Sequence, residues 1–461
     1  MLSAPCLSRK GKTWPGGKDR GEGNMKENKK FSYGEAVDYV LQIPKFTKKN
    51  TPEDTRRFYE YLGRPGERSG LIHVAGTNGK GSVCSYIASV LGEAGYRTGL
   101  FTSPHLVDVR ERFRLNAELI STEDFARVFN QVLENVENFC EKSGNGAYHP
   151  TFFEMLFFMA MLWFQEKRAD YIILETGMGG RLDATNVITH PCVTVITRIG
   201  LDHTEYLGNS KEEIAGEKAG IIKKDVPVVF WEQEESVNRV IVEKARGLSA
   251  EVIPVSEKQV IFFKFKNKTV DFSMRSEYYG YIRASLPTAA VYQKENAALA
   301  IRALEVLGRT CPLTRQQVEA GLSHARWEGR MEEVLPGVFI DGAHNEDGVR
   351  AFLDSVREDG CLGKRHLLFS AVSDKRVEAM AGQIAESGLF DDVAVTRIDS
   401  ARSLTEEQIL SLWKGRNHAR LYHSPEEAWE ALLREKEGPD IVYAAGSLYL
   451  AGQLKAYLSK L

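Results

Sequence analysis

The chain predicts an α/β fold of two successive parallel-sheet lobes with a small β subdomain, and three observations predict it. A short β-type run, Leu71 to Ala75, empties into a glycine-rich turn, and a helical repeat of Val83, Ile87, Leu91 and Ala94 follows directly. Brief apolar runs then alternate with helical stretches, the pattern of a parallel sheet covered on both faces. A second series of the same kind begins after about residue 331, and 461 residues exceed what one hydrophobic core usually serves.

The turn reads Gly76-Thr77-Asn78-Gly79-Lys80-Gly81-Ser82. Glycines at 76, 79 and 81 would let the backbone take positive φ and approach an anion, so that successive N–H groups converge on phosphate oxygens. The helix behind the turn adds its positive dipole end, and Lys80 would reach the β and γ phosphates. The spacing departs from the standard P-loop, since only Thr77 and Asn78 separate the first two glycines and Gly81 stands between the lysine and Ser82. A glycine turn without a nucleotide is the bland alternative. On the functional reading, residues 31–325 form a P-loop parallel-sheet ATPase domain and residues 326–461 a second, Rossmann-like α/β domain.

Residues 1–30 are rich in Gly, Lys and Arg and lack an apolar signal region, so they read as a disordered tail. Amphipathic pattern begins only near Phe31, and Met25 just before it is an alternative start. The longest apolar run, Phe152 to Phe164, carries Glu154 and is too short for a membrane span; it reads as a buried helix, Phe152 to Gln165. Strands fit Tyr171–Leu174 and Val193–Thr197. Ser210 followed by Glu213 makes a capping box that starts a helix running to Ile222. Segments 252–264 and 268–275 alternate like an antiparallel ribbon, which is the expected side subdomain. In the second lobe, strands fit Val338–Ile340, His366–Phe369, Val393–Thr396 and Ile441–Ala444, and the polar stretch Ala325 to Arg330 marks the boundary.

The formal net charge of −3 supplies no basic field, which excludes nucleic acid or an anionic membrane as the main partner. The six cysteines show neither a CxxC pair nor zinc-type spacing, as expected of reduced thiols in a cytoplasmic protein.

In open parallel sheets, ligands gather at the carboxyl ends of strands. Glu175 ends one strand where a nucleotide-bound Mg²⁺ would sit, and Asp202 and His203 follow the next; strand-end polar residues equally often cap loops. Glu217-Lys218 has the usual meaning of a solvated helix pair. Asp341 ends the first strand of the second lobe, ahead of His344 and Asn345, where a carboxylate can accept from ribose hydroxyls.

Taken in order, Gly76 to Ser82, Thr102-Ser103-Pro104-His105, Glu175 to Asn186, Leu201-Asp202-His203, Glu217 to Lys223 and Asp341 to Asn345 resemble the motif set of folylpolyglutamate synthases, members of the Mur ligase superfamily. The likeness runs from about Phe31 to the C-terminus. It implies that ATP phosphorylates a carboxylate of a folate-type substrate and that the amine of L-glutamate captures the acyl phosphate. It implies Mg²⁺ ligands at Ser103, Glu175 and His203, and a carbamate on Lys218 that contributes to a second Mg²⁺ site. Lys80, Lys218 and His203 become the catalytic set, with Asn296, Arg330 and Asp341 contacting adenosine and phosphate.

Folate is expected near the Ser103–Arg112 loop and the Arg181-Leu182-Asp183 turn, with Arg112, Arg181 and Asp183 as its contacts. His344 either helps bind glutamate or makes a local loop hydrogen bond. Phe152 and Glu154 fit a substrate-side element or plain core. Ser370, where a glycine is expected, and Ala445, where many relatives have threonine, depart from the pattern. The resemblance further implies a cytoplasmic monomer that extends the folate tail. Dihydropteroate as an additional acceptor is the alternative, and a nucleotide-binding switch without ligase activity is the remote one.

Overall fold

The computed structural model describes residues 30–43, 50–143 and 148–460, apart from 267, 374, 401, 417 and 418. The expected tail and the alternative start at Met25 therefore lie outside the described residues, except for Lys30 at the tail's end. The mixed α/β architecture with two parallel sheets stands as expected from the pattern of the sequence.

The first sheet contains β1 (Gly70–Ala75), β2 (Thr98–Phe101), β3 (Phe113–Leu115), β4 (Glu118–Leu119), β5 (Tyr171–Glu175), β6 (Val193–Ile196), β7 (Val228–Trp231) and β8 (Val252–Val255). Their order across the sheet is β4-β3-β2-β5-β1-β6-β7-β8. From β2 to β8 all neighbours are parallel, and β3 and β4 append antiparallel at one edge. The chain leaves β1 toward β2 on one side and continues from β5 to β6 on the other, so the carboxyl end of β1 lies at a topological switch, where a crevice opens.

Alternate residues of β1 feed opposite cores. Ile72 and Val74 pack with Val83, Ile87 and Leu91 of the helix Lys80–Glu93, and with the long helix Gln293–Gly308. Leu71 faces the aromatic side, with Phe101, Phe113 and the helix Phe152–Glu166. That helix is buried, as its continuous apolar run predicts. Its acid Glu154 belongs to the core, since it closes a capping box with Thr151 and accepts from the hydroxyl of Thr55 at 2.5 Å and the amide of Asn50 at 2.8 Å. A carboxylate so fully bonded satisfies its burial locally.

Two readings of elements need correction. Residues 252–255 are not part of the ribbon; they form β8, parallel to β7 at the sheet edge, where Pro254 is tolerated, and a turn at Glu257–Gln259 separates them from the subdomain. The subdomain itself has three antiparallel strands, β9 (Val260–Lys266), β10 (Thr269–Ser276) and β11 (Gly280–Leu286). The helix capped by Ser210 runs Lys211–Ala219 and stops before Ile222. Glu213 turns its carboxylate to the N–H of Asn209 and leaves that of Ser210, so only half of the capping box forms.

The second lobe holds β12 (Glu332–Leu335), β13 (Val338–Ile340), β14 (Arg365–Phe369), β15 (Asp392–Thr396), β16 (Ala419–Tyr422) and β17 (Ile441–Ala445), ordered β12-β13-β17-β14-β15-β16. All pairs are parallel except β12 with β13. Ala289 and Ala290, which precede the helix Gln293–Gly308, are buried in the core of this lobe beside Phe339, Val349 and Phe352. The first lobe thus hands a short apolar strip to the second.

Candidate active site

The cradle begins where β1 ends. Gly76 and Gly79 adopt φ of +150° and +92°, as expected of an anion-binding turn, whereas Gly81 is already helical. Gly81 has a different reason to be glycine: a Cβ there would lie 2.6 Å from the ring of Trp327, which packs directly on the turn. The N–H groups of Thr77 and Asn78 both donate to the carbonyl of Arg198, at 2.9 and 3.3 Å. Val83 closes the first intrahelical bond on the Gly79 carbonyl, so the N–H groups of Lys80, Gly81 and Ser82 are those at the open helix end. The amides open to an anion are therefore displaced toward the helix relative to the simplest reading of the motif.

Thr77 anchors the turn by exchanging hydrogen bonds with Gly200, and the Thr197 hydroxyl donates to the Asn78 carbonyl at 2.7 Å. Lys80 Nζ lies 3.3 Å from the Thr77 carbonyl and 3.8 Å from Glu175. Glu175 is buried at the end of β5 and accepts from the Ser103 N–H at 2.9 Å. Burial pushes its carboxyl above the usual range, with Lys80 opposing. Lys218 is not the solvated residue its neighbour suggests. It is 4 % exposed and donates to the Gly76 carbonyl at 2.7 Å, and burial, reinforced by Lys80, lowers its ammonium to about 7. Burial likewise lowers His203 to about 4, so its imidazole is neutral at pH 7.

The second lobe closes this site. Asn345 and Asn78 exchange amide hydrogen bonds at 3.0 Å, and Asn345 also donates to Asp202 at 3.1 Å. Lys375 forms an ion pair with Asp202, and His344 Nε2 lies 3.5 Å from the same carboxylate while its Nδ1 bonds the Gly342 carbonyl. Burial opposes ionisation of Asp202, but His344, Lys375 and His203 outweigh it and hold the carboxyl well below its ordinary range. Asp341 is buried at the end of β13, and Arg330 Nη1 donates to the Gly329 carbonyl at 2.8 Å.

One cavity of about 580 Å³ is lined by the cradle from Gly76 to Ser82 together with Ser103, Glu175, His203, Lys218, Asn296, Arg330, Asp341 and His344. Asn296 meets the cradle directly, since a Cβ on Gly79 would fall 2.2 Å from its Oδ1. Three expected substrate contacts are not brought to this cavity. Arg112 is buried, bonds His105 at 2.8 Å and lies over the Phe152 ring; Arg181 pairs with Glu217 at 2.8 Å at the surface. Asp183 holds its own loop, accepting from the N–H groups of Gly177, Met178 and Thr185 and from the Thr185 hydroxyl.

The residues fit a magnesium–nucleotide complex: a carboxylate, a hydroxyl and a neutral imidazole share a phosphate cradle, and oxygen donors suit a hard cation. Among the described residues, the His and carboxylate trio able to approach a single ion lies elsewhere, at His366, Asp392 and Glu435, where Arg420 pairs both acids.

Asn345, Lys375, Asp202 and Tyr292 had no assigned role in the sequence, although the first and third stand inside motifs. Their partners lie far along the chain, and only the position of Asp202 beside His203 gave a usable signal.

Comparisons with known proteins agree with this geometry. Residues 74–304 match the Mur ligase middle domain and residues 329–448 the Mur ligase glutamate ligase domain. The chain is 34 % identical to the dihydrofolate synthase/folylpolyglutamate synthase of Bacillus subtilis, over 93 % of this chain and 99 % of that protein. It is 30 % identical to the folylpolyglutamate synthase of Lacticaseibacillus casei, over 93 % and 99 %. The solved apo form of L. casei FPGS superimposes with a TM-score of 0.81 at 28 % identity, covering 93 % of this chain and all of that one. E. coli FolC in complex with DHPP and ADP gives 0.81 at 27 %, covering 93 % and 98 %. With these matches and a phosphate cradle facing a second lobe across one cleft, the chain belongs to the folylpolyglutamate synthase/dihydrofolate synthase family of Mur-type ligases.

Proposed function

We propose that this enzyme, an ATP-dependent ligase, joins L-glutamate to the γ-carboxylate of folates, and that the shared cavity between cradle and second lobe carries this reading. Solved relatives include an FPGS–AMPPCP–folate complex and E. coli FolC in complex with DHPP and ADP, which supports the same substrate classes here. Lys80 and the N–H groups of Lys80, Gly81 and Ser82 hold the phosphates, and Arg330 and Asp341 approach from the other lobe at the sugar and γ-phosphate. The folate carboxylate oxygen bonds to the γ-phosphorus as the bond to the β-γ bridging oxygen breaks, giving an acyl phosphate and ADP. The glutamate amine then attacks the acyl carbon, phosphate leaves, and the amine proton is lost. Water excluded by lobe closure cannot hydrolyse the acyl phosphate.

Ser103, Glu175 and His203 would hold Mg²⁺, whose chemistry is to neutralise phosphate charge. Glu175→Gln is expected to raise the Mg²⁺ concentration for half-maximal rate severalfold; an unaltered Mg²⁺ titration would count against direct ligation. Lys218 is the candidate for carbamylation. Its buried amine, lowered to about 7, is substantially uncharged at neutral pH, the form that adds CO₂, and a carbamate would give the cavity an anion in place of a cation. Lys218→Ala should lose roughly 10²–10³ in kcat, on the scale of losing one electrostatic contact to the reacting groups, with partial recovery in short carboxylic acids. Full activity without rescue would exclude the carbamate.

The lobe division is placed at 325/326, where the polar linker precedes β12. Folate contacts at Arg112, Arg181 and Asp183, and a glutamate contact at His344, remain part of the proposal. So does a monomer in the cytoplasm, a compartment that suits the free thiols of Cys84, Cys140, Cys192, Cys311 and Cys361. No helix of the described residues is long and apolar enough to cross a membrane.

The test is a mass-spectrometric assay with MgATP, L-glutamate and either tetrahydrofolate or dihydropteroate. Glutamyl addition to the folate is expected, and addition to dihydropteroate would make the enzyme bifunctional. ATP hydrolysis indifferent to both acceptors would overturn ligation.

A further inference from the structure

Asp341 does not wait in the cavity with both carboxylate oxygens free. Among the described residues, Oδ2 accepts from the Tyr292 hydroxyl at 2.8 Å and from the Met331 N–H at 2.8 Å, and Oδ1 accepts from the Ala343 N–H at 2.8 Å. A carboxylate offers about four acceptor positions. With three taken, one remains, on Oδ1. The partners also differ in kind: Met331 and Ala343 are backbone neighbours in the same lobe, whereas Tyr292 reaches over from the start of the helix Gln293–Gly308 in the first lobe. Its ring packs against the second lobe's core, next to the buried Ala289 and Ala290, so the phenol is held in place from behind. Tyr292 and Asp341 both line the nucleotide cavity.

We propose that Tyr292 is a positioning and specificity-determining residue that saturates Asp341 Oδ2 and leaves room for one nucleotide hydroxyl, so that the ribose is read through a single hydroxyl. This rests on the reading of Asp341 as the ribose contact. The phenol does two things at once. It blocks the carboxylate from clasping both hydroxyls, and it fixes the carboxylate plane relative to the cradle, because its own lobe carries Lys80 and Asn296. Loss of the hydroxyl alone leaves Oδ2 held by the Met331 N–H with one acceptor position open to a second nucleotide hydroxyl.

The test compares kcat and KM for ATP, 2′-deoxy-ATP and 3′-deoxy-ATP, with folate and glutamate saturating, in the wild type and Tyr292→Phe. Phenylalanine keeps the packed ring, and a melting curve checks the fold. The wild type should discriminate at least tenfold in kcat/KM against one deoxynucleotide and less than threefold against the other. Tyr292→Phe should raise KM for ATP severalfold with kcat within about twofold, and should shrink the ratio between the two deoxynucleotides to less than threefold. Retention of the wild-type ratio in Tyr292→Phe would overturn the role of Tyr292 while leaving Asp341 as the sugar contact. A wild type indifferent to both deoxynucleotides would instead overturn the Asp341 reading itself, and the proposal with it. Equal, strong discrimination against both in the wild type would contradict the single-hydroxyl limit. Tyr292→Leu serves if the phenylalanine variant does not fold, since it also removes the donor and predicts the same loss of ratio.

Discussion

Lys80→Ala is expected to lower kcat/KM for ATP by roughly 10²–10³ while leaving the fold intact, a loss on the scale of one preorganised charge contact to a reacting group. The side chain makes a 3.3 Å hydrogen bond to the Thr77 carbonyl and a 3.8 Å approach to Glu175, and it is 16 % exposed. Its removal strips the cavity of the cation best placed for the β and γ phosphates. Burial already pushes Glu175 toward protonation, and Lys80 is the first of the charges opposing this. The variant therefore also removes the leading charge that favours the ionised Glu175 carboxylate. Steady-state rates with folate and glutamate saturating, alongside a melting curve, separate the two effects; wild-type turnover would remove the cradle from the mechanism.

Gly76→Ala should do the opposite and damage the structure itself. A Cβ at this position would lie 1.8 Å from Thr197 Oγ1, at a φ of +150° that side chains rarely adopt. Thr197 cannot step aside cheaply, because its hydroxyl is committed to the Asn78 carbonyl and its N–H to the Ala75 carbonyl. Overpacking and backbone strain together come to about 2–6 kcal/mol. Displacing residue 76 also disturbs the carbonyl that receives Lys218. Thermal or urea unfolding should show the loss, with ligation abolished even below the new midpoint. A variant that melts with the wild type would mean that the turn has slack the close contact denies.

The cradle was legible in the sequence because glycine spacing, a following helix and a lysine state their chemistry locally. Its details were not. Gly81 looks like a conformational glycine in the motif, and only the folded chain shows that Trp327 is what excludes a side chain there. Lys218 beside Glu217 reads as an exposed pair, because sequence adjacency says nothing of which residue turns inward; Glu217 in fact pairs with Arg181 at the surface. Residues 252–255 read as ribbon because a short edge strand and a ribbon strand alternate alike, and register with β7 decides between them. Tyr292 and Lys375 were invisible for a different reason: an aromatic at a helix start and a lysine in a loop acquire meaning only from acids on the opposite lobe. Four of the six strands of the second lobe, by contrast, read nearly to the residue, since each is a short apolar run in the sheet interior, whereas β12 and β16 lie at the two edges, only partly buried, and carry no such run.

Ala289 and Ala290, seated in the far lobe's interior, bear on how the enzyme moves. Pulling the halves straight apart would drag this hydrocarbon strip into water, at about 25 cal/mol for each Å² newly wetted. Swinging about the strip wets none of it. Opening the cleft by rotation about this point is accordingly cheaper than drawing the two halves apart.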